Sequence, residues 1–189
     1  VSPTAGDNNP ANNNLNLCYN VVNSHDPNLK EVYPSGNFKD DNLPRWLTYT
    51  VHFQNTGTAS AQHIYINDTI DNNLDVSTFQ LLAYSHEPLM QVKGNLAIFN
   101  FPNINLPDST HNEPQSHGYV QYRVKPKQGL TPGTVLRNTA YIYFDFNSPV
   151  VTNTVVDTIT CGTDSVFLTH YLCNSDSFLF NGTYYNTPN

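Results

Sequence analysis

The sequence predicts an all-β protein, an antiparallel β-sandwich with Greek-key connections, and three observations predict it. The first is composition. There are 27 Asn and 19 Thr among 189 residues, with 12 Tyr and 13 Pro, and these residues favour strands and turns over helices. The second is a period of two. From Trp46 to Gln54, Leu47, Tyr49, Val51 and Phe53 fall on one face and Trp46, Thr48, Thr50, His52 and Gln54 on the other, the pattern of a half-buried antiparallel strand. The third is spacing: seven or more short apolar runs are separated by turn signals, which is the rhythm of a sandwich.

Residues 1–17 are rich in Asn and lack periodicity, so they read as a linker or the end of a preceding module. Cys18 to Val22 is a short strand candidate. A dense turn signal at 23–28 leads to Lys30-Glu31-Val32-Tyr33, and Pro34-Ser35-Gly36 turns the chain again. After the Trp46–Gln54 strand, Asn55-Thr56-Gly57-Thr58 makes a turn. Gln62 to Asp68 follows, with Ile64 and Ile66 inward. Phe79–Tyr84 and Leu96–Phe101 are further strands. Tyr119 to Lys125 alternates with Val120, Tyr122 and Val124 on one face. Val135 to Phe144 reads as one strand, with Leu136, Ala140, Ile142 and Phe144 on one side and Tyr141 and Tyr143 on the other. Asn147-Ser148-Pro149 is a turn, and Val150 to Val156 is the last strand of the sandwich. Nothing in 18–160 reads as a long amphipathic helix. Beyond Thr160 the texture changes. Phe167–Leu172 and Ser177–Tyr185 look like strands of a hairpin with Asn181-Gly182 at its tip, the strongest short hairpin signal. The expected organisation is therefore a linker over 1–17, a sandwich over 18–160 and part of a second β module over 161–189, with the whole cut from a longer chain.

Charge narrows the function. Lys and Arg number 8 against 15 Asp and Glu, for a net charge of −7 and a pI near 5.3. A nucleic-acid-binding domain needs a basic stripe to neutralise phosphates, and an acidic chain is repelled by anionic membrane surfaces. No apolar run approaches the roughly 18 residues of a membrane span. Nucleic acid and membrane insertion are therefore excluded as partners at this level. No GxSxG, HExxH, P-loop or GxGxxG pattern is present, so neither catalysis nor a cofactor is expected.

Four blocks carry a resemblance: DPNLKEVYPSG at 26–36, LTYTVHFQNTGTASAQHIYINDTIDNNLDVSTFQ at 47–80, FNFPNINLPDSTHNEPQSHGYVQYRVKP at 99–126 and NTAYIYFDFNSPVVTN at 138–153. Together they resemble an immunoglobulin-like repeat domain of unknown function from large secreted and cell-surface proteins of Bacteroidetes. Leu29 departs from it, standing where the family's DPNDK block has Asp. The tail, with its FNGTYY core, is similar to the start of another repeat of such proteins. The resemblance implies an extracellular location on the bacterial surface, export by type IX secretion, and a non-catalytic role as an adhesin, stalk or filament spacer. It implies neighbouring modules of the same chain, or copies of itself, as partners. The alternative is a carbohydrate-binding accessory module of a secreted hydrolase, with surface glycans as the partner.

Individual residues add narrower expectations. Cys161 and Cys173 flank one short hydrophobic stretch and are a disulfide candidate in an oxidising compartment, against two unlinked thiols; Cys18 is left over. The pattern Asp-Ser/Thr-small or aliphatic, which resembles the O-glycosylation signal of Bacteroidetes surface proteins, occurs with Thr69, Ser109, Thr158 and Ser165 as acceptors, and an attached glycan must face solvent. His52 and His63 fall on polar faces of strands expected to be neighbours, where ordinary surface residues are the simpler reading than a metal pair. Asp26, Asn28, Asp145 and Asn147 lie in two turns that fit turn formation better than calcium binding. Surface immunoglobulin-like domains sometimes join a Lys to an Asn, helped by a buried carboxylate, and Lys30 with Asn138 or Asn147 fits that scheme. Trp46, Tyr141 and Tyr143 face away from the expected core, where aromatics stack on sugars or partners or are covered by a neighbouring strand or module.

Overall fold

The computed structural model describes residues 26–40 and 46–162, and the backbone of 177–180 and 183–186. In chain order the strands are β1 (Lys30–Tyr33), β2 (Asn37–Lys39), β3 (Leu47–Gln54), β4 (Ile64–Thr69), β5 (Leu74–Tyr84), β6 (Leu89–Lys93) and β7 (Leu96–Phe101). A one-turn helix, α1 (Ser109–Asn112), and a 3₁₀ turn at Glu113–Gln115 precede β8 (His117–Pro126), β9 (Val135–Asn138), β10 (Ala140–Phe144), β11 (Val150–Val151) and β12 (Val155–Thr160). Then β13 (Ser177–Phe180) pairs antiparallel with β14 (Thr183–Asn186), Phe180 opposite Thr183; the strand expected at Phe167–Leu172 lies outside the described residues.

The body is an immunoglobulin-like sandwich. One sheet runs β1-β3-β8-β5 and the other β11-β10-β4-β7-β6. Inner faces meet through aromatic rings: Phe53 lies 5.4 Å from Phe101, and Phe99 lies 5.8 Å from Tyr122, centroid to centroid. The alternation predicted for β3 holds, with Leu47, Tyr49, Val51 and Phe53 all buried. Each such side chain contributes roughly 1.5–3 kcal/mol by leaving water. Gly118, opposite Phe53 in the ladder, is required by that packing, since a Cβ there would sit 2.2 Å from the Phe53 ring.

A third, small sheet, β2-β12-β9, closes one side; its β2–β12 pair is parallel and the remaining pairs of the sandwich are antiparallel. This sheet corrects two sequence expectations. Val135–Phe144 is not one strand but two, because the chain leaves the small sheet after Asn138 and enters the five-stranded sheet at Ala140. Val150–Val156 likewise divides between β11 and β12. The switch does not disturb the inward parity: Leu136, Asn138, Ala140 and Ile142 are all buried, so a period of two cannot reveal it. Thr152, buried between the halves, holds the crossing. Its N–H donates to the Ala140 carbonyl at 3.0 Å, and its hydroxyl accepts from the Ala140 N–H at 3.1 Å.

Candidate functional site: a buried lysine, aspartate and asparagine

Four polar side chains converge inside the sandwich. Strand alternation puts them there: Asp68 shares parity with Ile64 and Ile66, Tyr122 with Val120 and Val124, and Asn138 with Leu136, while Lys30 begins β1. Lys30 is 1% exposed, Asp68 and Tyr122 0% and Asn138 2%. They come from three sheets, since β1 and β8 belong to the first, β4 to the second and β9 to the small one.

The contacts form a closed set. Lys30 Nζ is ion-paired with Asp68 Oδ2, donates to Asn138 Oδ1 at 3.0 Å and donates to Tyr122 Oη at 3.1 Å. The Tyr122 hydroxyl donates to Asp68 Oδ2 at 2.8 Å and accepts from Asn138 Nδ2 at 3.0 Å. The ammonium lies 5.2 and 5.4 Å from the ring centroids of Tyr49 and Tyr122, within cation–π range. Asp68 Oδ1 is buried with no hydrogen-bond partner. The backbone of Lys30 is fixed as well: its N–H donates to Asn153 Oδ1 at 2.8 Å, and its carbonyl accepts from Asn153 Nδ2 at 2.9 Å.

The electrostatics follow from burial. Desolvation lowers the pKa of Lys30, opposed by the charge and hydrogen bond of Asp68. Burial, then the charge of Asp68, raises that of Tyr122 well above the ordinary phenol range. Burial also raises Tyr49, followed by the charges of Asp157, Asp68 and Asp71. The cluster thus holds an amine that burial makes easier to deprotonate, a carboxylate in contact with it and a carboxamide carbonyl within reach. Of the two asparagines considered from sequence, the structure places Asn138 against Lys30, whereas Asn147 is exposed and donates from Nδ2 to the Phe144 carbonyl. Asp68 and Tyr122 escape a motif search; their parity with neighbouring apolar residues is the signal that marks them as inward.

The other sequence candidates fall elsewhere. Thr69 is exposed at the end of β4, and Ser109 and Thr158 are half-buried in α1 and β12. Their preceding aspartates are all buried: Asp68 in the cluster, Asp108 as the α1 cap accepting from the Thr110 N–H at 3.2 Å, and Asp157 accepting from the Gly36 N–H at 2.7 Å. Ser165, Cys18 and Cys173 lie outside the described residues; Cys161 is exposed. His52 and His63 are not neighbours, because β3 and β4 belong to different sheets; His52 contacts Glu31 Oε2 at 3.1 Å instead. Among the described residues no three His, Cys, Asp or Glu side chains cluster as a metal site would require. The turn candidates act on backbone, with Asp26 Oδ1 accepting from the Asn28 N–H and Asp145 Oδ1 from the His63 N–H. Trp46 is covered by Arg123 and Lys125, at 4.3 and 4.6 Å from its ring. Tyr143 stacks on its cross-strand partner Tyr65 at 4.2 Å.

Comparison with known proteins places the chain. Residues 26–158 match the family described as "Domain of unknown function (DUF7619)", and the chain belongs to that family. No curated protein matches it. Among solved structures, it is similar to the N-terminal domain of the Streptococcus gordonii adhesin Sgo0707 (TM-score 0.53, 16% identity, covering 73% of this chain and 33% of that one). It is similar to BcpA, the major pilin subunit of Bacillus cereus (TM-score 0.51, 16% identity, 70% and 39%). It is also similar to the major pilin SpaD of Corynebacterium diphtheriae (TM-score 0.50, 20% identity, 68% and 34%). At these identities the likeness is one of fold, and the match spans about a third to two-fifths of those chains.

Proposed function

We propose that this chain is a non-catalytic structural module of an extracellular bacterial surface protein, an adhesin, stalk or filament spacer that bears load between neighbouring modules or copies of itself. One observation carries this reading: the sandwich has the fold of a pilus subunit and an adhesin domain over about 70% of the chain. The low charge and neutral Asn/Thr surface agree, keeping an extended multidomain protein soluble without strong electrostatic attraction. The four sequence blocks support a Bacteroidetes source and export by type IX secretion, and Thr69 is the exposed acceptor for a surface glycan. Antibody against this domain should label intact cells of the source organism. Labelling only after permeabilisation would contradict the reading.

A specific observation favours carbohydrate binding as the second reading. The Tyr65–Tyr143 stack lines an open cleft with His63, Asp145 and Phe146, and Phe146 is fully exposed. Aromatic faces beside polar groups suit sugar stacking. Glycan-array binding abolished by Phe146→Ala would favour that reading over the mechanical one.

A further inference from the structure

We propose that Lys30 and Asn138 become joined by an intramolecular isopeptide bond, with Asp68 as the catalytic proton acceptor. The inference goes beyond the surface role and does not depend on it, because it is a statement about three side chains in one closed compartment.

The geometry supplies each requirement. The nucleophile is Lys30 Nζ, and the electrophile is the Asn138 side-chain carbonyl, whose oxygen lies 3.0 Å away. Its carbon is one C=O bond, about 1.23 Å, beyond that oxygen. Such proximity of two groups held by rigid strands is what turns a slow amide exchange into a first-order reaction. An amine attacks only when neutral, and burial favours that form by penalising the ammonium. Asp68 Oδ2 contacts Nζ directly and is placed to take its proton. Water, the competing nucleophile, is excluded, since all four side chains are at most 2% exposed.

The step balances. Lys30 Nζ gives one proton to Asp68 and attacks Cγ of Asn138, so that the Nζ–Cγ bond forms. The attacking nitrogen sheds a second proton, the Cγ–Nδ2 bond breaks, and Nδ2 takes up one proton and leaves as ammonia. Of the two protons released from Nζ, one departs on ammonia and one stays on Asp68; nothing is oxidised or reduced. Tyr122 joins the proton acceptor to the leaving nitrogen, because its hydroxyl donates to Asp68 Oδ2 and accepts from Asn138 Nδ2. A proton therefore passes from Asp68 through Tyr122 Oη to Nδ2. The outcome also explains the burial of charge: an ammonium and a carboxylate are replaced by a neutral amide and a neutral carboxyl. The new amide N–H remains a donor for Asp68 Oδ2, the oxygen that Lys30 Nζ already contacts.

The test is intact mass and peptide mapping of the purified full chain. The expected mass is below the sequence mass by about 17 Da, one ammonia. Trypsin should fail to cleave after Lys30 in the denatured protein, and a branched peptide should connect the Lys30 and Asn138 segments. Asp68→Asn should restore the full sequence mass and cleavage after Lys30, and Asp68→Glu should recover part of the crosslinked fraction. If Asp68→Asn fails to fold, the map of the unaltered chain still decides. A full sequence mass with normal cleavage after Lys30 would overturn the proposal. So would a loss of the same size mapped to a succinimide at Asn181-Gly182.

Discussion

Two buried polar clusters serve one sandwich, and they differ in charge. The buried side chains of Asn28, Gln54, Asn55 and Ser116 are all neutral, with Asp26 and the His117–Glu113 pair at their rim. Asn28 Oδ1 accepts from the Gln54 N–H at 3.1 Å, and Gln54 Nε2 donates to Ser116 Oγ at 2.8 Å. Asn55 Nδ2 donates to the carbonyls of Ala59 and Leu106, and its Oδ1 accepts from the Gly57 N–H. These amides stitch loops to strand ends by satisfying backbone groups that burial would leave unpaired. Around Lys30 the partners are side chains, and one of them, Asp68, is opposite to it in charge. Holding loops needs no charge, and a buried ion pair costs several kcal/mol per ion before any attraction is gained. The contrast gives the charged cluster a chemical purpose that the neutral one lacks.

Lys30→Met should have the largest effect. It removes a crosslink between residues 108 apart, a loop whose closure is worth roughly 4.7 kcal/mol by the disulfide estimate for about 100 residues. It also strands Asp68 as an unpaired buried carboxylate, at a further cost of about 3–5 kcal/mol. Guanidinium unfolding measures the sum. The double change Lys30→Met/Asp68→Leu sharpens the comparison by removing both charges: it should recover most of the second loss and none of the first.

Asn55→Ala probes the neutral cluster. It should lower stability by about 1–3 kcal/mol, the cost of leaving buried groups unpaired, while the mass deficit of the protein stays unchanged. Asn153→Ala is smaller, about 1 kcal/mol for an exposed residue with two backbone bonds. It should slow appearance of the crosslink in freshly folded protein, because Asn153 fixes the backbone of Lys30.

Strand alternation made much of this fold legible. Trp46–Gln54, Leu96–Phe101 and the inward residues Val120, Tyr122 and Val124 follow from period two alone. The exit of the chain from the third sheet after Asn138 does not, because inward parity continues through Thr139 and sheet membership depends on distant pairing. Nor does the burial of Gln54, whose place on the polar face is overridden by its bond to Ser116. Within the candidate site, Lys30 and Asn138 are reachable by likeness to surface immunoglobulin-like domains, whereas Asp68 is marked only by its alternation with Ile64 and Ile66 at the end of the Gln62–Asp68 strand. Leu89–Lys93 is nearly all exposed, which left it no hydrophobic face to announce an edge strand.

The smallest effect separates the acid responses. Hydrogen bonds from Thr110 and then His111 hold the Asp108 carboxyl down to about 2. A depressed carboxylate stabilises fully above its unfolded value, and that contribution is lost as pH falls from about 4 through about 2. Amide exchange at Thr110 and His111 should accelerate over that window and not above it, and Asp108→Asn should flatten the response. The crosslink, being covalent, should persist throughout.

Force extension of the chain, pulled from handles beyond residues 26 and 162, tests the central claim most directly. With Lys30 bonded to Asn138 the span of 108 residue steps between them cannot straighten, which withholds roughly 370 Å at about 3.4 Å per residue. The unaltered chain should lack that length increment, and Lys30→Met should show it. Release of the full increment from the unaltered chain would contradict the account.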